Sequence, residues 1–143
     1  MLIDDLKRVQ ADTFAMYAKA HYYHWNVEGA DFVQYHEFLA KIYEELFGAV
    51  DVIAEEVRAL QSYAPGVHRM LMELTKIQDD NTIPAAIEMF RRLLADNEVV
   101  MEGLITAYMS ADAAGELGLA NFLQDRMDVH KKHAWMFRSL IKQ

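Results

Sequence analysis

Helical periodicity is the feature that most constrains this chain, because it runs through four long segments and almost nothing resembles a strand. Apolar residues recur at spacings of three, four or seven over residues 3–28, 32–62, 83–109 and a last segment that ends near residue 143. Gly29 and the loop at 62–66 interrupt this pattern, as helix-breaking residues do. With only 6 Gly and 2 Pro, the composition is also wrong for a turn-rich β protein. We therefore predict an all-α fold.

The links between the segments predict how the helices are connected. Short links join the first segment to the second and the third to the fourth, so each pair should pack antiparallel. The link between the second and third segments is long, and Val67–Leu74 within it could form a short helix. Two antiparallel pairs joined by a long crossover are the plan of a ferritin-like four-helix bundle. We predict a single domain over residues 1–143.

Several local signals predict where these helices begin and end. Asp31 is a suitable N-cap for the second helix, and Pro84 suits the first turn of the third. The stretch Ser110–Gly115 is predicted to be a polar link to the last helix. The apolar stripe of the second helix is wide enough for more than one buried face, which predicts contact with another subunit.

Composition excludes several classes of function. The absence of cysteine excludes disulfides, thiol catalysis and thiolate metal sites. No apolar run reaches the roughly 18–20 residues of a membrane span, and the N-terminus carries acids where a secretory signal carries bases. We expect no membrane association and a cytoplasmic location. The net charge of −8 argues against unaided nucleic-acid binding and suits a protein that gathers cations.

Four residues are candidates for a metal site. An ordinary di-iron bundle needs Glu-x-x-His on two helices, and the sequence does not contain that motif. Asp51 and Glu55 are four residues apart and share one helix face, and His36 lies on a face rotated from Asp51 by about 60°. Along the helix axis, however, His36 and Asp51 are about 22 Å apart. One straight helix cannot bring these side chains to one metal ion.

Two antiparallel copies of the helix would remove this conflict, because a two-fold contact places the His36 end of one copy beside the Asp51/Glu55 end of the other. His24, just before the Gly29 turn, could join His36. Mixed imidazole and carboxylate ligands suit iron or another borderline divalent ion. The alternative is that the histidines are structural and hydrogen-bonded, and that Asp51 and Glu55 form a solvated face or an ion pair in an interface. Spacing alone leaves both interpretations open.

These residues also resemble a known family. The stretch His24-Trp-Asn-Val-Glu-Gly-Ala-Asp-Phe32, followed by His36 and then Asp51-Val-Ile-Ala-Glu55, resembles the signature of the Dps proteins, or miniferritins. The C-terminal stretch His133-Ala-Trp-Met-Phe137 is similar to the last helix of that family. Together with the helix plan, the resemblance covers nearly the whole chain.

The resemblance implies a shell of twelve subunits with a ferroxidase centre at each two-fold interface. His24 and His36 would be ligands from one subunit, and Asp51 and Glu55 from its neighbour. Ferrous iron would be oxidised there by hydrogen peroxide, or by dioxygen, and stored as ferric mineral, which protects against oxidative damage. Trp25 would intercept stray oxidising equivalents, and the alternative is that it only packs in the interface. Iron is the expected cofactor and no haem is expected, because the methionines and aromatic residues suit a core.

The chain departs from the family pattern at several positions. Ala40 stands where many members have an Asp that supports the second iron position. Glu56 stands where an Arg is common, and it either assists the metal site or faces solvent. His21 lies three residues before His24 and is either an auxiliary ligand or a packed side chain. The early residues contain few bases and the chain ends in Ser-Leu-Ile-Lys-Gln, whereas DNA-binding members often carry a lysine-rich tail.

The resemblance also implies a pore through which iron enters the shell. By alignment on Trp135, the pore region contains Asp112, Glu116 and Asn121. The alternative is that the two acids complement a helix N-terminus. We interpret His130 and His133 as structural. We expect weak or no DNA binding, so a nucleoid-compacting protein with an incidental metal site is the alternative function.

Overall fold

The structure is a computed structural model that describes residues 1–142, and it is built from helices. These are α1 (Leu2–Asn26), α2 (Phe32–Ala59), α3 (His68–Leu74), α4 (Ala86–Ala113) and α5 (Leu117–Ile141). The closest pairings are α1 with α2 and α4 with α5, and α1 also packs on α4 and on the short α3. The predicted all-α, ferritin-like bundle with a short helix in the crossover is confirmed. Gln143, the last residue of the predicted domain, lies outside the described residues.

The core follows from the apolar stripe of each helix. On α2 the buried positions keep helical spacing: Leu39, Ile42, Leu46, Ile53 and Val57. Large side chains from the other long helices fill the space opposite them: Leu6, Met16, Tyr23, Met89, Phe90, Leu93, Leu104 and Phe137. Burying each such side chain stabilises the fold by about 1.5–3 kcal/mol. None of the helices in residues 1–142 is long and apolar enough to cross a membrane.

Two predicted helix boundaries differ from the structure, and the predicted N-cap of α2 agrees with it. Helix α2 stops at Ala59 rather than near residue 62, and the chain turns at Gln61, which has a φ of 63°. Pro84 is not in the first turn of α4, because Ala85 is the N-cap and the preceding segment is extended. Asp31 does occupy the N-cap position of α2, but its side chain makes no capping hydrogen bond.

The predicted polar link at Ser110–Gly115 is mostly helical, since α4 continues to Ala113. Packing explains the difference. Ala111 is completely buried against the bundle, and the hydroxyl of Ser110 donates a hydrogen bond to Asp5 at 2.6 Å. The turn to α5 is therefore only Ala114–Glu116, with Gly115 at a φ of 73°.

A buried polar network joins α2, α4 and α5. Glu45 accepts hydrogen bonds from both Arg126 and His133. His130 donates from Nδ1 to the amide oxygen of Asn97 at 2.7 Å, and the Asn97 amide donates to the His130 carbonyl oxygen at 2.9 Å. Burial lowers the pKa of His130 well below its usual value, which keeps the ring neutral. The structural interpretation of His130 and His133 is confirmed.

The crossover is held to α1 by side chains rather than by its own secondary structure. Asp12 accepts hydrogen bonds from the Thr75 hydroxyl and the Lys76 backbone amide. Further along, Tyr23 donates to Asp80, which also pairs with Arg92. These contacts fix the crossover across the α1 surface.

Candidate metal centre

His24 and His36 meet at the turn between α1 and α2. Their rings stack with centroids 3.8 Å apart and an angle of 13° between the planes. The Nδ1 of His24 lies 2.7 Å from the carbonyl oxygen of His36, and the Nδ1 of His36 lies 2.7 Å from the carbonyl oxygen of His24. The sharp turn at Gly29, with a φ of 119°, lets the two helices approach this closely. The pair is therefore a rigid, reciprocally bonded unit.

These two hydrogen bonds define the tautomer of both rings. A carbonyl oxygen only accepts hydrogen bonds, so each Nδ1 must carry the proton and donate it. In the neutral form of each ring, the lone pair is therefore on Nε2. Histidines that bind metals through one nitrogen commonly donate from the other to a carbonyl or carboxylate. The arrangement of His24 and His36 is thus competent to bind a cation.

Asp51 and Glu55 lie on the exposed surface of α2, one turn apart. A hydrogen bond with Asp51 and the negative charge of Asp51 raise the pKa of Glu55. Two carboxylates that repel each other in this way are stabilised when a cation binds between them. The structure places both acids on the face that the sequence predicted.

One chain does not bring the two halves together. His36 and Asp51 belong to the same continuous helix, which holds them about 22 Å apart along its axis. In the described part of a single chain, no three His, Asp or Glu side chains are placed to hold a metal ion. The chain therefore presents two separate candidate half-sites: a pair of imidazoles, here called the histidine half-site, and a pair of carboxylates.

Aromatic side chains surround the histidine half-site, and sequence reasoning missed most of them. His21 stacks on Tyr43 with centroids 3.8 Å apart and an angle of 7°, and Trp25 lies 4.0 Å away on the same cluster. Tyr17 reaches the Nδ1 of His21 with its hydroxyl at 3.0 Å. Burial, and then the neighbouring His24, lower the pKa of His21. The spacing of four residues that places Tyr17, His21 and Trp25 on one face was the signal that could have found the cluster.

The remaining predicted residues lie outside the two half-sites or at their edges. Ala40 is one turn after His36 and is partly buried. Glu56 follows Glu55 and so projects about 100° away from it around the helix axis, in a partly buried position.

The three predicted pore residues are all exposed and lie around the α4–α5 turn. Asp112 is in the last turn of α4, Glu116 is the N-cap residue of α5 without a side-chain capping bond, and Asn121 is in α5 itself. The alternative role of Asp112 at a helix N-terminus was wrong, because α4 extends further than expected and places this acid at a C-terminus. A negative charge there opposes the helix dipole.

Comparison with known proteins agrees with this architecture. A family model described as a ferritin-like domain matches residues 3–143, so the chain belongs to the ferritin-like family. Within that family the relatives and structures place it among the Dps miniferritins. A DNA protection during starvation protein from Helicobacter pylori is 25% identical over 94% of each chain. A low temperature-induced protein from Nostoc sp. is 32% identical over 99% of this chain and 80% of its own.

Solved structures show the same relationship in three dimensions. A Dps protein from Bacillus brevis has a TM-score of 0.94 at 27% identity, covering 99% of this chain and 95% of its own. Dps from Staphylococcus aureus has a TM-score of 0.95 at 25% identity, with the same coverage. The likeness extends over the whole bundle, including the short helix of the crossover.

Proposed function

We propose that this protein oxidises ferrous iron at sites shared between two subunits and stores the product as a ferric mineral within a cage of twelve subunits. Iron is the substrate, and hydrogen peroxide is the oxidant. Each peroxide takes two electrons from two ferrous ions and two protons from water, and yields two water molecules. Removing iron and peroxide together prevents the formation of hydroxyl radicals, so the activity is protective.

The observation that carries this proposal is the reciprocal bonding of His24 and His36. Both rings approach a carbonyl oxygen with Nδ1 at 2.7 Å, which leaves Nε2 of each ring as the nitrogen for a cation. Two imidazoles held in advance lose little conformational entropy when they bind a cation.

The carboxylates must come from a second copy of the chain. Asp51 and Glu55 cannot reach the histidines of their own helix, and a two-fold contact makes the pairing reciprocal. Each complete site would contain two neutral imidazoles and two carboxylates, whose charge balances one divalent cation. Such a mixed set of nitrogen and oxygen ligands suits ferrous iron.

The surface around the histidine half-site fits such a contact. Trp25 is 63% exposed and Phe47 is 60% exposed in the single chain, although both are large and apolar. Exposed apolar side chains that cluster on one face mark an interaction surface. We propose that a second copy covers this surface and contributes its Asp51 and Glu55 there.

The decisive experiment uses two variants that are each defective in a different half of the site. One variant carries His24→Ala and His36→Ala, and the other carries Asp51→Ala and Glu55→Ala. Each variant alone should oxidise ferrous iron slowly after peroxide is added. Co-assembled in equal amounts, they should recover about a quarter of the wild-type sites, because half of the dimers are mixed and each mixed dimer completes one of its two sites.

The controls separate this proposal from the alternatives. His68→Ala, which removes an exposed histidine of the crossover helix, should leave the rate of iron oxidation unchanged. Native mass spectrometry should show that all variants remain assembled as the wild-type oligomer. Mixed assemblies that stay as slow as either variant alone would refute the shared site, and a monomer or simple dimer would refute the cage.

A further inference from the structure

Phe32 covers the outer face of the His36 ring. The two rings stack with centroids 4.9 Å apart and an angle of 26° between their planes. His24 occupies the opposite face of His36, because two rings cannot both stack on the same face of one imidazole. The His36 ring is therefore enclosed between two flat rings, one from α1 and one from the start of α2.

The local fold fixes Phe32 in this place. Phe32 is the first residue of α2 and precedes His36 by one turn, so both side chains share one face of the helix. The Phe32 backbone amide donates a hydrogen bond to the carbonyl oxygen of Gly29 at 3.1 Å, which ties the start of the helix to the turn. The Phe32 side chain is nevertheless 39% exposed, so burial in the core does not account for its position.

The orientation of the His36 ring decides whether this residue can bind a cation. The lone pair of Nε2 lies in the ring plane, so a cation has to approach along that plane. The hydrogen bond from Nδ1 to the His24 carbonyl oxygen fixes one edge of the ring at 2.7 Å, but rotation about the Cβ–Cγ bond of histidine is otherwise soft. The faces of His24 and Phe32 block that rotation in both directions.

The two ends of the imidazole stack are closed in different ways. At the α1 end, Tyr43 and His21 lie tilted against His24, with ring centroids 5.1 Å and 6.0 Å away. At the α2 end, Phe32 covers His36. Without this phenyl ring, one face of His36 would be open to solvent and the ring would lose its fixed plane.

We propose that Phe32 is a positioning residue, which holds the His36 imidazole in the orientation that binds ferrous iron. Its role follows from the proposed function, on which this inference rests, because an imidazole contributes to that function only as a ligand. Phe32 itself acts through His36 and does not bind the metal. If Phe32 is removed, the binding of a cation has to order a mobile side chain, which should weaken the affinity about two- to ten-fold.

Cobalt(II) binding to the assembled protein tests the inference without any redox chemistry, because the visible absorption of bound cobalt reports on its ligands. We expect Phe32→Ala to bind cobalt about two- to ten-fold more weakly than the wild type. Phe32→Tyr keeps the flat ring and should retain the wild-type affinity. Val33→Ala is the matched control, since it removes an adjacent apolar side chain that is 62% exposed, and it should also bind as the wild type does.

Iron-oxidation kinetics give a readout that a merely structural role would not produce. With peroxide in excess, Phe32→Ala should raise the KM for ferrous iron. The value of kcat should stay within about two-fold of the wild type, because saturating iron orders the His36 ring by binding to it. A fall in kcat with an unchanged KM would contradict the positioning role.

Native mass spectrometry and thermal unfolding show whether each variant is folded and assembled. If Phe32→Ala does not assemble, Phe32→Leu replaces it, since leucine keeps an apolar side chain but offers no flat face. Wild-type cobalt affinity in either variant overturns the inference, as does weakened binding in Phe32→Tyr or Val33→Ala. Cobalt binding that survives His24→Ala combined with His36→Ala, or that is absent from the wild type, refutes the proposed site itself and the inference with it.

Discussion

Glu45 of α2 and His133 of α5 are joined by a hydrogen bond of 2.9 Å between Oε1 and Nε2, inside the bundle. Arg126 approaches both oxygens of the same carboxylate. The two helices come from different antiparallel pairs, so this ionic contact links the two halves of the bundle. A carboxylate bound by two donors is a charge that the fold depends on, and its protonation should weaken the fold.

The first prediction concerns acid stability. Burial alone would raise the pKa of Glu45, but hydrogen bonds from His133 and Arg126 outweigh burial and lower it to about 2. Because the folded-state pKa lies below the unfolded value, the stabilisation is complete above about pH 4.5 and is lost as the pH falls toward 2. The loss should be about 2 kcal/mol after allowance for the part of Glu45 that solvent reaches. Urea unfolding measured across this pH range tests the prediction.

Glu45→Gln is the variant that isolates this effect. It should be destabilised at neutral pH, because Arg126 keeps its buried charge without a full counter-charge. The free energy of unfolding of this variant should also lose the part of its pH dependence that comes from the Glu45 carboxylate. Glu44→Gln, at the exposed neighbouring position, is the control and should behave as the wild type. Identical acid profiles for Glu45→Gln and the wild type would contradict the prediction.

The second prediction concerns the Asn97 contact with α5. Asn97→Ala removes the acceptor of the His130 Nδ1–H and the donor to the His130 carbonyl oxygen, both in the buried interior. The buried Nδ1–H of His130 is left without its partner, so the free energy of unfolding should fall by about 2 kcal/mol. Chemical denaturation measures this. Gln124→Ala, on the exposed side of α5, should change stability by less than about 0.5 kcal/mol.

The third prediction concerns iron uptake. If Asp112 and Glu116 line a pore of the proposed cage, Asp112→Asn with Glu116→Gln should slow mineral growth at limiting iron, because a less negative channel concentrates fewer cations. Oxidation at the shared sites should then be limited by the supply of iron. Added salt should slow mineral growth in the wild type more than in the variant. Asp125→Asn, an exposed acid further along α5, is the control. Equal uptake by variant and wild type would rule out the pore assignment.

The fourth prediction concerns DNA. Each subunit has a net charge of −8, and phosphates are repelled from an assembly of such subunits unless metal ions bridge the two. A gel-shift assay at low salt with a chelator should leave plasmid DNA at its free mobility. The same assay with a divalent cation and no chelator is the control for metal ions that bridge the protein and DNA. Retention of the plasmid in the presence of the chelator would favour the nucleoid-compacting alternative.

The fold could be predicted well because its signals are local and repeated. The stripe from Leu39 to Val57 specifies a long helix and its buried face, and the lengths of the links specify which helices pair. The errors fell at helix ends, at Pro84 and at Ser110–Ala113. There the decision came from distant contacts, such as Asp80 holding the extended segment before α4 and Asp5 bonding Ser110. Local propensity does not contain those contacts.

The sequence by itself determined the candidate ligands: the residue types and spacing of His24, His36, Asp51 and Glu55 singled them out and indicated that one helix is too long to unite them. Only the tertiary structure decided the state of those residues. The reciprocal bonds that set the histidine tautomers, the stack of His21 on Tyr43 and the base beside Tyr17 depend on how α1 and α2 face each other. Periodicity specifies the face of a helix on which a side chain lies, whereas the position of a proton depends on atoms that packing brings from elsewhere in the chain.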